Sequence, residues 1–230
     1  IYNQAAKFKY MFGGKAETPV VIRTMVGAGI NAAAQHSQML TSIFTHIPGL
    51  KVVCPSNPYD AKGLLIQSIR DNDPVIFCEH KSLYGVEGEV SEESYVIPFA
   101  EANVMREGGD VTIVAYGMMV GKAMDAAGTL AKEGVECDVI DLRTLSPIDM
   151  ETVLESVENT GRLVVVDEAN PRCSIATDVS AQVAQQAFKS LKAQIEMVTA
   201  PHTPVPFAST LEDIYIPSND SVAIAVRKTL

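Results

Sequence analysis

Short runs of Val and Ile alternate along the chain with stretches whose apolar residues recur every three or four positions, and this alternation predicts strands and helices in turn. "VVIRT" (20–24), bounded by Pro19 and the loop "MVGAG", predicts a buried strand, and a helical pattern follows from about His36 to His46, with Met39, Leu40, Ile43, Phe44 and Ile47 at helix spacing. "KVVCP" (51–55) predicts the next strand. Asn57 before Pro58 supplies an N-cap and an N1 proline for a helix carrying Leu64, Leu65 and Ile69 as far as "RDND". Pro74 stops that helix, and "PVIFCEH" predicts a third strand. The opening "IYNQAAKFKYMFGG" has a helix-like pattern but no cap, and it suggests that an upstream portion precedes Ile1.

Residues 80–108 break the rhythm: they are rich in Gly, Glu and Ser and predict a connector with an edge strand or two, with 89–108 as the linker proper. A second alternating unit follows. Strands are predicted at 110–117, 135–142, 162–168 and 195–200, and helices at 119–133, 149–158, about 174–192 and after Ser221. The expected fold class is therefore α/β, with two three-layer units (1–88 and 109–230) built on mainly parallel sheets joined by right-handed crossovers.

Composition narrows the function. At 230 residues and 47% hydrophobic, the chain can bury one large core or two modest ones. Acidic residues outnumber Lys and Arg 28 to 18, and the net charge of −10 argues against nucleic acid as a partner. No apolar run is long enough for a membrane span, and no signal-peptide pattern is visible. The four cysteines form no CxxC pair, and three lie in or beside apolar runs. They predict buried thiols in a reducing compartment, without a zinc site, so a cytoplasmic protein is expected.

Ligands of open α/β sheets bind beyond the carboxyl ends of strands, which singles out the loops 25–36, 54–60, 78–88 and 167–175. In the first, Gly27 and Gly29 permit a tight turn, and Gln35, His36 and Ser37 open the following helix. The loop is not a dinucleotide fingerprint, because the third glycine and the later acidic residue are missing. His36 is equally compatible with catalysis and with local hydrogen bonding. Asp71 and Asp73 beside a helix end offer oxygens suited to a hard cation or form a solvated loop. Glu79 and His80 are an acid/base pair or, more simply, surface hydrogen bonders, and His202 sits in a proline-stiffened loop suited to packing. Asp167 and Glu168 end another strand and are candidates to ligate or polarise a ligand, but adjacent strand side chains point to opposite faces and rarely act as one pair. Neither a GxSxG elbow nor a GxxxxGK[ST] loop occurs.

Taken together, "AAQHSQ", "HIPGLKVVCPSNPYDAKGLL", "IRDNDPVIFCEHKSLYG", "VTIVAYG", "DLRTLSPID" and "VPF…LEDIYIP" resemble, in order and end to end, the beta subunit of the thiamine-diphosphate-dependent first component of 2-oxo acid and acetoin dehydrogenase complexes. "DEANPRCSIATDVSAQVAQQAF" and "TAPHTPVPF" are most similar to the acetoin type. The resemblance implies a transketolase-like pyrimidine-binding domain, incomplete at its N-terminus, followed by a transketolase C-terminal-like domain. It implies that His36 is the active-site histidine serving proton transfer during acyl transfer, with Gln35 and Ser37 supporting the pocket. It also implies a potassium site at Val20, Ser68, Ile69, Asp71 and Asp73, mostly through backbone oxygens.

The same resemblance implies partners. The family's activating glutamate belongs to an upstream portion, and the GDG…N signature for Mg2+ and diphosphate belongs to the alpha subunit. Thiamine diphosphate would then lie between alpha and beta subunits of an α2β2 heterotetramer. A lipoyl-bearing acyltransferase component would take the acyl unit derived from a small-molecule substrate. Three alternatives stay open at this stage: a pyruvate or branched-chain 2-oxo acid dehydrogenase beta subunit, a single-chain transketolase-type enzyme, and a non-catalytic α/β docking module.

Overall fold

The computed structural model describes residues 1–230. Two sheets organise the chain. The first has the order β1-β3-β2-β7, from Val21–Val26 (β1), Lys51–Val53 (β2), Val75–His80 (β3) and Thr144–Ser146 (β7). The second has the order β4-β6-β5-β8-β9, from Asn103–Arg106 (β4), Val111–Ala115 (β5), Cys137–Asp141 (β6), Leu163–Asp167 (β8) and Glu196–Thr199 (β9). All pairings are parallel except β2 with β7 and β4 with β6. The nine helices are Phe8–Met11 (α1), Ala33–His36 (α2), Thr41–Thr45 (α3), Pro58–Arg70 (α4), Met118–Ala131 (α5), Met150–Thr160 (α6), Ile175–Gln186 (α7), Ser209–Tyr215 (α8) and Asn219–Thr229 (α9).

The period of two in the strands sorts their side chains into layers. In β3, Val75 and Phe77 join Leu64 of α4, whereas Ile76 and Cys78 face the other way. In β5, Val111, Ile113 and Ala115 pack with α5 and α9, and Val114 turns to the opposite face. Those opposite faces meet. Ile76, Cys78, Val52 and Cys54 share one cluster of 21 buried residues with Val114, Ile140, Val165 and the apolar side of α6 and α7. The two sheets thus enclose a common core, and burial of this kind contributes about 25 cal/mol per Å² of apolar surface.

Local rules explain the helix ends. The Asn57 side chain accepts the Asp60 N–H with Pro58 in the first turn, Asp149 caps α6 by accepting from Thr152, and Gly161 closes it at φ 75. Several expectations change. The helix expected over 36–46 is two short helices, α2 and α3, because the chain breaks at Ser37–Leu40 to bury Ser37 and return the Gln38 carbonyl to Gly27 N. The helix-like start yields only the single turn α1, and the helix expected to reach 192 stops at Gln186. Asn103–Arg106 is an edge strand of the second sheet, as expected within the 80–108 connector, but Thr144–Ser146 crosses to complete the first sheet. Strand β7 and helix α8 were not foreseen.

Candidate active site

Strand β1 ends at the loop 27–32, and both glycines there answer to specific neighbours. Gly27 has φ +87, and a Cβ on it would lie 1.9 Å from Nε2 of His80; Gly29 has φ +103, and its Cβ would lie 2.6 Å from the Ser82 hydroxyl. The loop is held from the second unit. Ala28 N–H donates to Glu168 Oε1 at 2.6 Å, and Asn31 N–H donates to Glu212 Oε2 at 2.9 Å. Asn31 and Ala33 themselves adopt positive φ. These bonds set the entry to α2, and α2 ends at His36.

His36 is exposed, forms no hydrogen bond, and lines a cavity of about 530 Å³. Gln35 and Gln38 share that cavity with Met25, Val26, Ile30, Leu40, Phe44, Lys81 and Tyr84. A larger cleft of about 970 Å³ lies beside α3 and the start of α7, but it contains none of the residues expected to act. The cavity at the carboxyl end of β1, which holds His36 and Gln35, is therefore the candidate site, in the position where open α/β sheets commonly bind ligands. Ser37 is not in its wall: the side chain is buried and its hydroxyl has no partner.

His80 and Glu79 part company. Glu79 accepts from Arg23 Nε and from the Tyr84 hydroxyl, both at 2.6 Å. His80 is 2% exposed rather than on the surface, and pairs at 2.7 Å with Glu168, which lies 88 positions along the chain. The Ser82 N–H donates to His80 Nδ1, so Nε2 carries the proton given to Glu168. Asp167 points to the other face, as alternation demands, accepting from the Tyr116 hydroxyl at 2.6 Å and from Ala169 and Ala176 N–H; burial raises its pKa. His202 lines a smaller cavity with Gln38 and Tyr215.

The residues expected at the potassium site gather in one corner, but their carboxylates face ammonium groups. Lys51 Nζ reaches Asp71 at 2.6 Å and Asp73 at 3.2 Å, and Lys9 Nζ reaches Asp73 at 2.7 Å. The Val20 carbonyl accepts Val75 N–H and the Ser68 carbonyl accepts Asp71 N–H. Each carbonyl keeps a second lone pair, so the backbone retains capacity for a cation, while the two carboxylates are already neutralised in part by Lys51 and Lys9.

Residues that sequence reasoning missed are Lys81, Gln38 and Glu212. Lys81 and Gln38 are single polar residues in unremarkable contexts, and Glu212 is brought to the loop by a helix that was not foreseen.

Comparisons with known proteins agree with this architecture. Residues 1–87 match the family described as transketolase, pyrimidine binding domain, and residues 100–222 match transketolase, C-terminal domain. The chain is 76% identical over its full length to the acetoin:2,6-dichlorophenolindophenol oxidoreductase subunit beta of Cupriavidus necator, covering 68% of that protein. It is 56% identical to the subunit of the same name from Bacillus subtilis, over 96% of this chain and 65% of that one. It is also 45% identical to the pyruvate dehydrogenase E1 component subunit beta of Bacillus subtilis, over 100% of this chain and 71% of that one. Among solved structures, one described as a split gene transketolase, inactive beta4 tetramer, matches with a TM-score of 0.77 at 25% identity, over 93% of this chain and 67% of that one. The chain belongs to the family of transketolase-like beta subunits of acetoin and 2-oxo acid dehydrogenases. No helix is long and apolar enough to cross a membrane.

Proposed function

We propose that the chain is the beta part of a thiamine-diphosphate-dependent dehydrogenase that cleaves acetoin and passes the two-carbon acyl unit to a lipoyl group, with a 2-oxo acid such as pyruvate as the second substrate class. The observation that carries this reading is the placement of His36, exposed and unbonded, in the wall of the cavity beyond β1. An imidazole so placed is free to turn toward a bound substrate as a proton donor or acceptor, because no other protein group holds it.

The cavity fits the ring portion of thiamine diphosphate. Val26, Ile30, Leu40 and Phe44 offer apolar surface, and Gln35 and Gln38 offer amides. It does not fit the diphosphate, for which Lys81 is the one cationic side chain in the wall, and no group of three or more His, Cys, Asp or Glu is placed to hold a metal ion. The diphosphate and its Mg2+ are accordingly assigned to an alpha subunit in an α2β2 heterotetramer. When bound, the cofactor supplies the carbanion that attacks a carbonyl. The roles left to this chain are to shape the ring pocket, to exclude water with its apolar wall, and to move a proton at the His36 imidazole. A potassium ion, if held, is held by the Val20, Ser68 and neighbouring main-chain oxygens.

The test is His36→Ala in the assembled enzyme. Transfer to lipoamide should fall about 10²-fold or more, in line with general acid–base contributions. Reduction of an artificial acceptor such as dichlorophenolindophenol should fall far less, since it takes electrons without acyl transfer. Equal losses in both assays would contradict a proton-transfer role for His36, and an inactive wild-type assembly would contradict the reading as a whole.

A further inference from the structure

Lys81 follows His80 directly and begins the 3-10 turn Lys81–Leu83 at the carboxyl end of β3. Its side chain forms part of the wall of the His36 cavity, is only 8% exposed, and its ammonium nitrogen has no hydrogen-bond partner. A buried ammonium carries three donors and strong hydration, so leaving all three unmet is costly unless something else meets them. The carboxylates of Glu168 and Glu212 are near enough to pull its pKa up, yet neither forms an ion pair with it, and burial, the larger influence, leaves the pKa lowered. Glu168 has both oxygens engaged, by Ala28 N–H and by His80, so it has little left to offer. Glu212 spends one oxygen on Asn31 N–H and keeps the other buried and unpaired.

A lysine used only as a counter-ion would close on one of these carboxylates. Lys81 instead stays apart from both, in the wall of the cavity that His36 also lines, and its flexible four-carbon stem lets the amine swing toward a ligand there. We propose that Lys81 is a substrate-binding residue whose ammonium donates a hydrogen bond to one of the two adjacent oxygens of the substrate, the hydroxyketone oxygen of acetoin or the carboxylate of a 2-oxo acid. This rests on the function proposed above and adds a group to its site: His36 handles the proton, and Lys81 fixes the oxygen that distinguishes these substrates from simple ketones.

The experiment compares Lys81→Met and Lys81→Gln with wild type in the assembled enzyme, using acetoin and pyruvate separately with dichlorophenolindophenol as acceptor. Loss of a charge-assisted hydrogen bond should lower kcat/KM roughly 10- to 100-fold in Lys81→Met, chiefly through KM, and Lys81→Gln should recover part of the loss because an N–H donor is retained. The effect should be larger for the anionic substrate. Melting temperature gives a control, since replacing an unpaired buried charge by an apolar chain of similar length should leave it unchanged or raise it. A fall in melting temperature with unchanged KM would overturn the proposal in favour of a counter-ion role. An independent readout is trace acetylation of wild type with acetic anhydride, followed by peptide mass spectrometry. Substrate should protect Lys81 several-fold, and no protection in an active enzyme would overturn the proposal. If the wild-type assembly acts on neither substrate, it is the functional reading that fails.

Discussion

His80 and Glu168 meet where the two units join, Nε2 to Oε2 at 2.7 Å, with both side chains shut off from water. Glu168 also receives Ala28 N–H, so one carboxylate ties β3 to the loop that leads to His36. Glu168→Gln keeps the shape but replaces one acceptor by a donor, leaving a buried donor facing another. The expected cost is about 1–3 kcal/mol, read as a lower denaturant midpoint with an unchanged slope.

Gly27 is the necessary neighbour of that pair. Gly27→Ala combines a disfavoured φ with a Cβ 1.9 Å from His80 Nε2, and should destabilise by roughly 4 kcal/mol or more. In a His80→Ala background the clash with the imidazole is removed, so the two substitutions should be strongly non-additive. A double-mutant cycle by urea unfolding measures this. Additive losses would show that backbone strain alone makes Gly27 necessary.

Asp141 supplies a pH dependence. It is fully buried at the end of β6, and burial pushes its carboxyl up to about 7, although Ser56 and the Arg143 N–H, which donate to it, pull the other way. Because the folded state holds the proton more tightly than the unfolded chain, its stabilising contribution is present below about pH 4 and is lost as pH rises through about 7. Asp141→Asn, which mimics the protonated form, should flatten that loss, and above pH 7 should be more stable than wild type by up to roughly 4 kcal/mol. Unfolding of both proteins across this range is the measurement. Parallel curves would mean that Asp141 does not titrate in this window.

The corner of Asp71 and Asp73 separates two kinds of cation. Asp71→Ala removes the Lys51 pair and the acceptor of Asp73 N–H, so melting should fall equally in K+, Na+ and Li+. If main-chain oxygens hold potassium, the extra stability in K+ should persist in that variant by mass action. Loss of the K+ increment with Asp71 would assign the carboxylate itself to the ion.

Much of the fold was legible because local signals agree with it. Asn57 and Pro58 mark the start of α4, Gly161 marks the end of α6, and the Val-rich runs give the parallel strands. What could not be read depends on distant partners. Thr144–Ser146 is too short to show a period, and only its pairing with Val52 and Val53 makes it a strand. That a cavity lies beyond β1 with His36 in its wall followed from the rule of strand ends, whereas the role of His36 is an expectation drawn from the resemblance of "AAQHSQ". The partner of His80 was not legible, since nothing local distinguishes a buried histidine paired 88 residues away from one on the surface. The opposite faces of Asp167 and Glu168 followed from strand geometry alone, yet what each would touch did not.

The strand β7 carries a further consequence for how the protein is made. On the ribosome, β1, β2 and β3 emerge long before Thr144–Ser146, so the β2 side of the first sheet stays an open edge while the second unit is still being synthesised. Open edges invite pairing with other chains. A nascent chain stalled before residue 144 should therefore recruit chaperones or aggregate, and one stalled beyond β7 should do so much less, making this three-residue strand the latch that ends the vulnerable interval.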